Sequence, residues 1–357
     1  MSNIFVGLVL SGMNSVMEYL SEHVLTCLIP AFFIAGAIAA FVKKDAILKY
    51  FGPAAKKSTA YFTAAVSGTV LAVCSCTILP LFAGIYRKGS GIGPATAFLY
   101  SGPAINLLAI VYTARVLGFD IGAARAISAV TMSVAIGLLM AFFFKQHDKD
   151  NLEKQRAFTS SASPLEAERP RSVSLLFFVL MVLILIIGAS GLGWAAKLAV
   201  IYILTLALAF ILIYYFRREE VTEWGVETWD LTKKILPILL AGTFVVGVIA
   251  YFLPPETFRP YLGGNGLSAT FLGAIIGAIL YMPTLLEVPI IGTTFGYSTG
   301  VMGKGPALAL LLAGPAVSLP NMIVLQRIMG SKKTAVYVVL VVVMSTFAGL
   351  VYGNMMR

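Results

Sequence analysis

The chain has 357 residues, of which 59% are hydrophobic and 12% charged, against about 45–50% and about 25% in a soluble domain. A membrane protein is expected, and the longest polar stretch, the 28 residues from Lys145 to Ser172, is too short for a water-soluble catalytic domain. The net charge of +10 comes mainly from Lys and Arg at the ends of apolar runs, where they meet anionic headgroups rather than form a nucleic-acid face.

Residues 1–22 are apolar but short and carry Asn14, Ser15 and Glu18, which places them at the interface. Without a basic n-region or a small-residue cleavage site, they do not read as a signal peptide. A spanning helix needs about 20 apolar residues, and the runs that qualify are 24–42, 60–86, 94–117, 121–144, 173–192, 195–216, 235–253, 268–292, 305–328 and 334–353. The chain then divides into a transmembrane repeat at 23–144, a cytoplasmic loop at 145–172, a linking hairpin at 173–216, a second cytoplasmic loop at 217–234 and a second transmembrane repeat at 235–357. The hairpin turns at Gly188, Gly191 and Gly193.

The repeat emerges when the chain is compared with itself at a lag of about 210 residues. Leu28-Ile29-Pro30 is echoed by Ile235-Leu236-Pro237, Gly68 by Gly277, Pro80 by Pro289, and Gly93-Pro94 by Gly305-Pro306. Ser101-Gly102-Pro103-Ala104-Ile105-Asn106 falls on Ala313-Gly314-Pro315-Ala316-Val317-Ser318, and Arg115 with Gly118 falls on Arg327 with Gly330. If every run crosses, the 26 basic residues split 14 to 12 between the two sides, whereas a re-entrant second run in each half collects 20 on one side and leaves 6. The positive-inside rule favours the second arrangement. Making the third run re-entrant instead gives 19 to 7. Either choice leaves three crossings per half, and an odd number inverts the second half. The expected fold is an all-α polytopic membrane protein of two inverted repeats, with about 8 spanning helices and two re-entrant or broken segments, an architecture of secondary transporters. The cell (inner) membrane is the expected location.

Four sites interrupt the apolar runs: Cys74 to Pro80, Ser101-Gly102-Pro103, Met282 to Pro289 (with Pro283 and Glu287), and Ala313-Gly314-Pro315. Proline removes a backbone donor, and backbone freed in this way survives in a bilayer only against protein or a wet cavity. Glu287 reads as the one charged side chain deep in an apolar run, so a coupling role in proton or cation handling is assigned to it. In the repeat alignment it stands opposite Ile78, at the level of the Cys74-Ser75-Cys76 stretch. On a regular helix Cys74 and Cys76 would point about 200° apart, but an unwound segment near Pro80 lets both thiols reach one soft centre, with Cys27 as a possible third ligand. The two histidines, His23 and His147, lie near run ends and suit surface roles. Tyr50, Phe51, Trp224 and Trp229 suit interfacial belts.

The stretch Val73 to Gly89, followed by Gly93 to Asn106, resembles the signature of the permease family that includes the ArsP organoarsenical efflux permeases. Pro283, Glu287-Val288-Pro289 and Gly314-Pro315-Ala316 extend the resemblance over nearly the whole chain. It implies a polytopic permease, not an enzyme, exporting a trivalent organoarsenical or another thiophilic species. Some relatives carry a metal-binding insert in the central loop, but residues 145–172 hold one His and no Cys. The expected solute site comprises Cys74, Cys76, Asn106 and Ser318, with Glu287 for coupling. No cofactor is expected, and the partners are the solute and membrane lipids. A transporter of another small anion is the alternative reading, since half-helix N-termini bind anions. A membrane thiol-disulfide relay through Cys74 and Cys76 is the alternative from another class. No phosphate-binding loop of the Walker type occurs, so an ion gradient or the solute's own gradient must drive transport.

Overall fold

A computed structural model describes residues 2–21, 28–41, 50–52, 55–71, 75–146, 148, 171–189, 193–252, 255–280, 282 and 286–356. Among these residues the chain is helical without strands. The first half holds α1 (Ser2–Tyr19), α2 (Ile29–Phe41), α3 (Lys57–Leu71), α4 (Ser75–Arg87), α5 (Ile92–Ala104), α6 (Leu107–Val116) and α7 (Phe119–Phe143). A hairpin of α8 (Arg171–Ala189) and α9 (Trp194–Tyr215) follows, then α10 (Arg218–Phe252). The second half continues with a 3-10 turn (Pro255–Tyr261), α11 (Leu267–Ile279), a helical turn at Glu287–Pro289 that widens into a π-turn (Ile290–Thr294), α12 (Lys304–Ala313), α13 (Leu319–Met329) and α14 (Ser331–Met355).

Among the described residues four helices, α7, α9, α10 and α14, are long and apolar enough to cross a membrane, or five if α5 and α6, bent by 41°, count as one. The other apolar runs form shorter helices, because glycine and proline divide them. α7 and α14 each begin on a glycine in the left-handed region, Gly118 (φ 119°) and Gly330 (φ 87°), a conformation that side-chain-bearing residues rarely adopt.

Equivalent elements pack alike in the two halves. α5 lies between α3 and α7, with α6 also on α7; α12 lies between α11 and α14, with α13 also on α14. The crossings rest on equivalent glycines. A Cβ on Gly137 would sit 2.8 Å from the carbonyl oxygen of Gly93, and one on Gly349 would sit 2.5 Å from that of Gly305. Small residues of this kind let backbones approach and replace hydrophobic drive as the source of helix association in lipid. The N-terminus of each central helix is then capped from outside itself: Asp148 Oδ1 accepts from the Ile92 amide (3.0 Å), and Asn265 Oδ1 accepts from the Gly305 amide (2.9 Å).

The halves meet along α2 with α10, α7 with α12 and α14, α4 with α13, and α6 with the turn at 287–289. α1 runs antiparallel along the apolar part of α10, with Ser11 Oγ donating to Gly247 O (2.8 Å) and Gly7 packed at Tyr251.

Three expectations are corrected in detail. Residues 218–234, expected as loop, are the first half of the 35-residue α10. Glu219 and Glu220 in its first turn face the positive end of the helix dipole, and the Asp230–Lys234 pair, 2.8 Å apart, adds an i,i+4 contact. Pro80, expected at a break, lies inside α4. Its missing N–H frees the Cys76 carbonyl without ending the helix. α5 likewise runs through Gly102 and Pro103 to Ala104, so that the chain breaks at Ile105 and Asn106.

Candidate functional site

Arg125, in the second turn of α7, and Glu287, at the start of its short turn, are each 0% exposed. Arg125 Nη2 lies 3.5 Å from Glu287 Oε2, and Nη1 donates to Thr113 Oγ1 (2.9 Å), which donates onward to Ala109 O (2.7 Å). Arg125 Nε and Glu287 Oε1 have no hydrogen-bond partner among the described residues. A Cβ on Gly314 would come within 2.6 Å of Glu287 Oε1, so the carboxylate rests against the α12–α13 break at a position only glycine leaves open.

This pair overturns the reading of Glu287 as the only charge deep in an apolar run. Arg125 sits five residues into the run 121–144, inside the apolar segment rather than in a loop. The same rule that singled out Glu287 applies to it. A single 3.5 Å contact is a poor return on burying two ions, whose desolvation costs several kcal/mol each. Their retention points to use rather than to stability.

The breaks around the pair differ in how their ends are satisfied. Asn106 caps α6, its Oδ1 accepting from the amides of Leu108 (3.0 Å) and Ala109 (3.4 Å). Ser318 caps α13 by position only: its Oγ is buried without a partner among the described residues, as is Oδ1 of Asn321 one turn further on. Tyr100 is fully buried in α5, and its hydroxyl lies 3.3 Å from Leu312 O, the residue at the equivalent position of α12.

Of the sequence-predicted site residues, Glu287, Gly314 and the second-half break come together. Asn106 opens α6, the helix that packs on the 287–289 turn, and Ser318 opens α13, the helix that packs on α4. Cys76 is in the first turn of α4. Pro289 ends the short turn and Pro315 follows Gly314 at the α12–α13 break. Cys74, Cys27, Pro283 and both histidines lie outside the described residues. Among the described residues no group of three or more His, Cys, Asp and Glu is placed to hold a metal.

A family model described as a predicted permease, ArsP_1, matches residues 9–354. The chain belongs to this family. The permease is 42% identical to a UPF0718 protein of Methanocaldococcus jannaschii, over 96% of this chain and 95% of that one. It is 22% identical to the UPF0718 protein YraQ of Escherichia coli, over 84% of this chain and 68% of that one. No solved structure matches it.

Proposed function

We propose that the permease is a secondary transporter in the cell inner membrane, with two inverted halves of about 8 spans in all, exporting a soft thiophilic solute such as a trivalent organoarsenical or a metal species in exchange for an ion. The observation that carries this reading is the buried Arg125–Glu287 pair, which joins α7 of the first half to the broken segment of the second. A carboxylate with one oxygen unbonded, set against interrupted helices, is the arrangement that lets an ion and a solute compete for one place. Protonating Glu287 would release Arg125 and loosen the seam, and thiol ligation at Cys74 and Cys76 would supply selectivity for the solute.

The test is uptake into proteoliposomes with and without an imposed proton gradient, using a trivalent arsenical. Glu287→Gln should keep exchange and lose gradient-driven accumulation. Cys74→Ser and Cys76→Ser should each abolish transport at unchanged membrane level, and Cys27→Ser should be milder. A Glu287→Gln protein that still concentrates the solute as the parent does would overturn the coupling role. Equal transport in the double cysteine variant would make the thiols packing residues only. Cysteine labelling should find 43–59, 145–172 and 217–234 inside and 188–197 and 254–267 outside; 43–59 and 254–267 on one face would exclude inverted halves.

A small anion is the second reading. It is favoured by two buried donors without a partner among the described residues, Arg125 Nε and the Ser318 hydroxyl, the latter at the α13 N-terminus, where helix amides attract negative charge.

A further inference from the structure

Where α4, α10 and α13 meet, a cavity of about 430 Å³ opens among Arg87, Lys233, Lys234 and Arg327, over an apolar floor that includes Ile238 and Val324. α4 belongs to the first half and α10 and α13 to the second, so the cavity lies on the seam.

The charges around it do not balance. Asp230 takes Arg87 at 3.0 Å and Lys234 at 2.8 Å, and Glu227 lies 4.0 Å from Arg87. Lys233 has the Trp229 ring 5.0 Å beneath its ammonium group, and Arg327 makes no ion pair among the described residues. Two carboxylates thus face four cations. A volume of this size suits a small molecule or a headgroup rather than a peptide, and the combination of cationic rim and aliphatic floor suits an amphiphile whose charged end is an anion.

We propose that this cavity binds the phosphate of an anionic amphiphile, either the headgroup of an anionic phospholipid or a soluble phosphoester with a small apolar body. Basic pockets between transmembrane helices hold lipid headgroups by this chemistry, and a guanidinium beside an ammonium offers phosphate both a forked and a point donor. The inference is independent of the transport reading.

The experiment is thermal unfolding of the full-length protein in neutral detergent, titrated with phosphatidylglycerol, phosphatidylcholine or phenyl phosphate. Phosphatidylglycerol, phenyl phosphate or both should raise the melting temperature, with phosphatidylcholine inert and the effect shrinking as salt is added. Stabilisation by phosphatidylglycerol alone names the lipid as the source; stabilisation by phenyl phosphate names the soluble ligand. Lys233→Gln with Arg327→Gln removes the two cations that have no acidic partner among the described residues. It should weaken binding about 30-fold, from about a tenfold or smaller loss per cation, and leave the unliganded melting temperature unchanged. Lys233→Arg with Arg327→Lys should bind as the parent does. If neither anionic probe stabilises more than phosphatidylcholine, or if the glutamine variant binds as tightly as the parent, the site does not exist.

Discussion

Arg125 in the first half and Tyr337 in the second hold equivalent positions, each seven residues after the glycine that opens its helix, and both are fully buried. Across the seam, Glu287 of the second half corresponds to Ile78 of the first, also buried. A repeat that kept its chemistry would carry two ion pairs or none. The backbone contacts are duplicated, since Gly93 with Gly137 and Gly305 with Gly349 make the same crossing, while the charge is placed once. The two halves share the backbone crossing and differ in where a buried charge stands.

The largest effect that bears on this difference is expected from Arg125→Ala. It leaves the Glu287 carboxylate buried and unpaired and should cost about 3–5 kcal/mol, seen as lost yield and a lowered melting temperature in detergent. Replacing both members, Arg125→Met with Glu287→Leu, should recover most of that stability and none of the transport. A stable Arg125→Ala protein with normal transport would reduce the pair to decoration.

Next come the duplicated crossings. Gly137→Ala and Gly349→Ala each drive a methyl against a carbonyl oxygen and should each cost about 1–3 kcal/mol, with Gly349 the more sensitive because its contact is tighter. Thermal unfolding of the two variants side by side checks this, and a large cost in one with none in the other would break the equivalence of the halves. The caps should cost about 1 kcal/mol each: Asn265→Ala removes the bond from the Gly305 amide and the donation to Gly353 O (2.9 Å), and Asp148→Ala removes the bond from the Ile92 amide. The smallest effect is expected at Tyr337→Phe. Its hydroxyl has no partner among the described residues, so stability should change by less than about 0.5 kcal/mol, and transport should persist if only the Arg125 side carries the function.

The repeat, the apolar runs and the neighbourhood of the breaks were legible because glycine and proline act locally and leave their marks in order along the chain. The break after α5 was displaced because Pro103 is tolerated close to the end of a helix. The turning point is Asn106, whose side-chain oxygen caps the next helix, a role that its polarity alone did not single out. Arg125 was hidden for another reason. Five residues into an apolar run, a long basic side chain can equally snorkel to the surface, and only the packing of α7 against α12 and α14 decides that it points inward.

α10 has a mechanical consequence of its own. At about 1.5 Å per residue its 35 residues measure about 52 Å, well beyond a hydrocarbon core of about 30 Å. One end is pinned to the first half, where Trp224 Nε1 donates to Phe33 O (2.8 Å) and Asp230 meets Arg87. The other is clasped by α1 at Gly247, and Gly242 touches Pro320 of α13. Between the two anchorages stands Pro237, where the helix is one rung short and bends most readily. α10 is thus a strut fixed near both ends, with its one weakened rung, at Pro237, between the two anchorages.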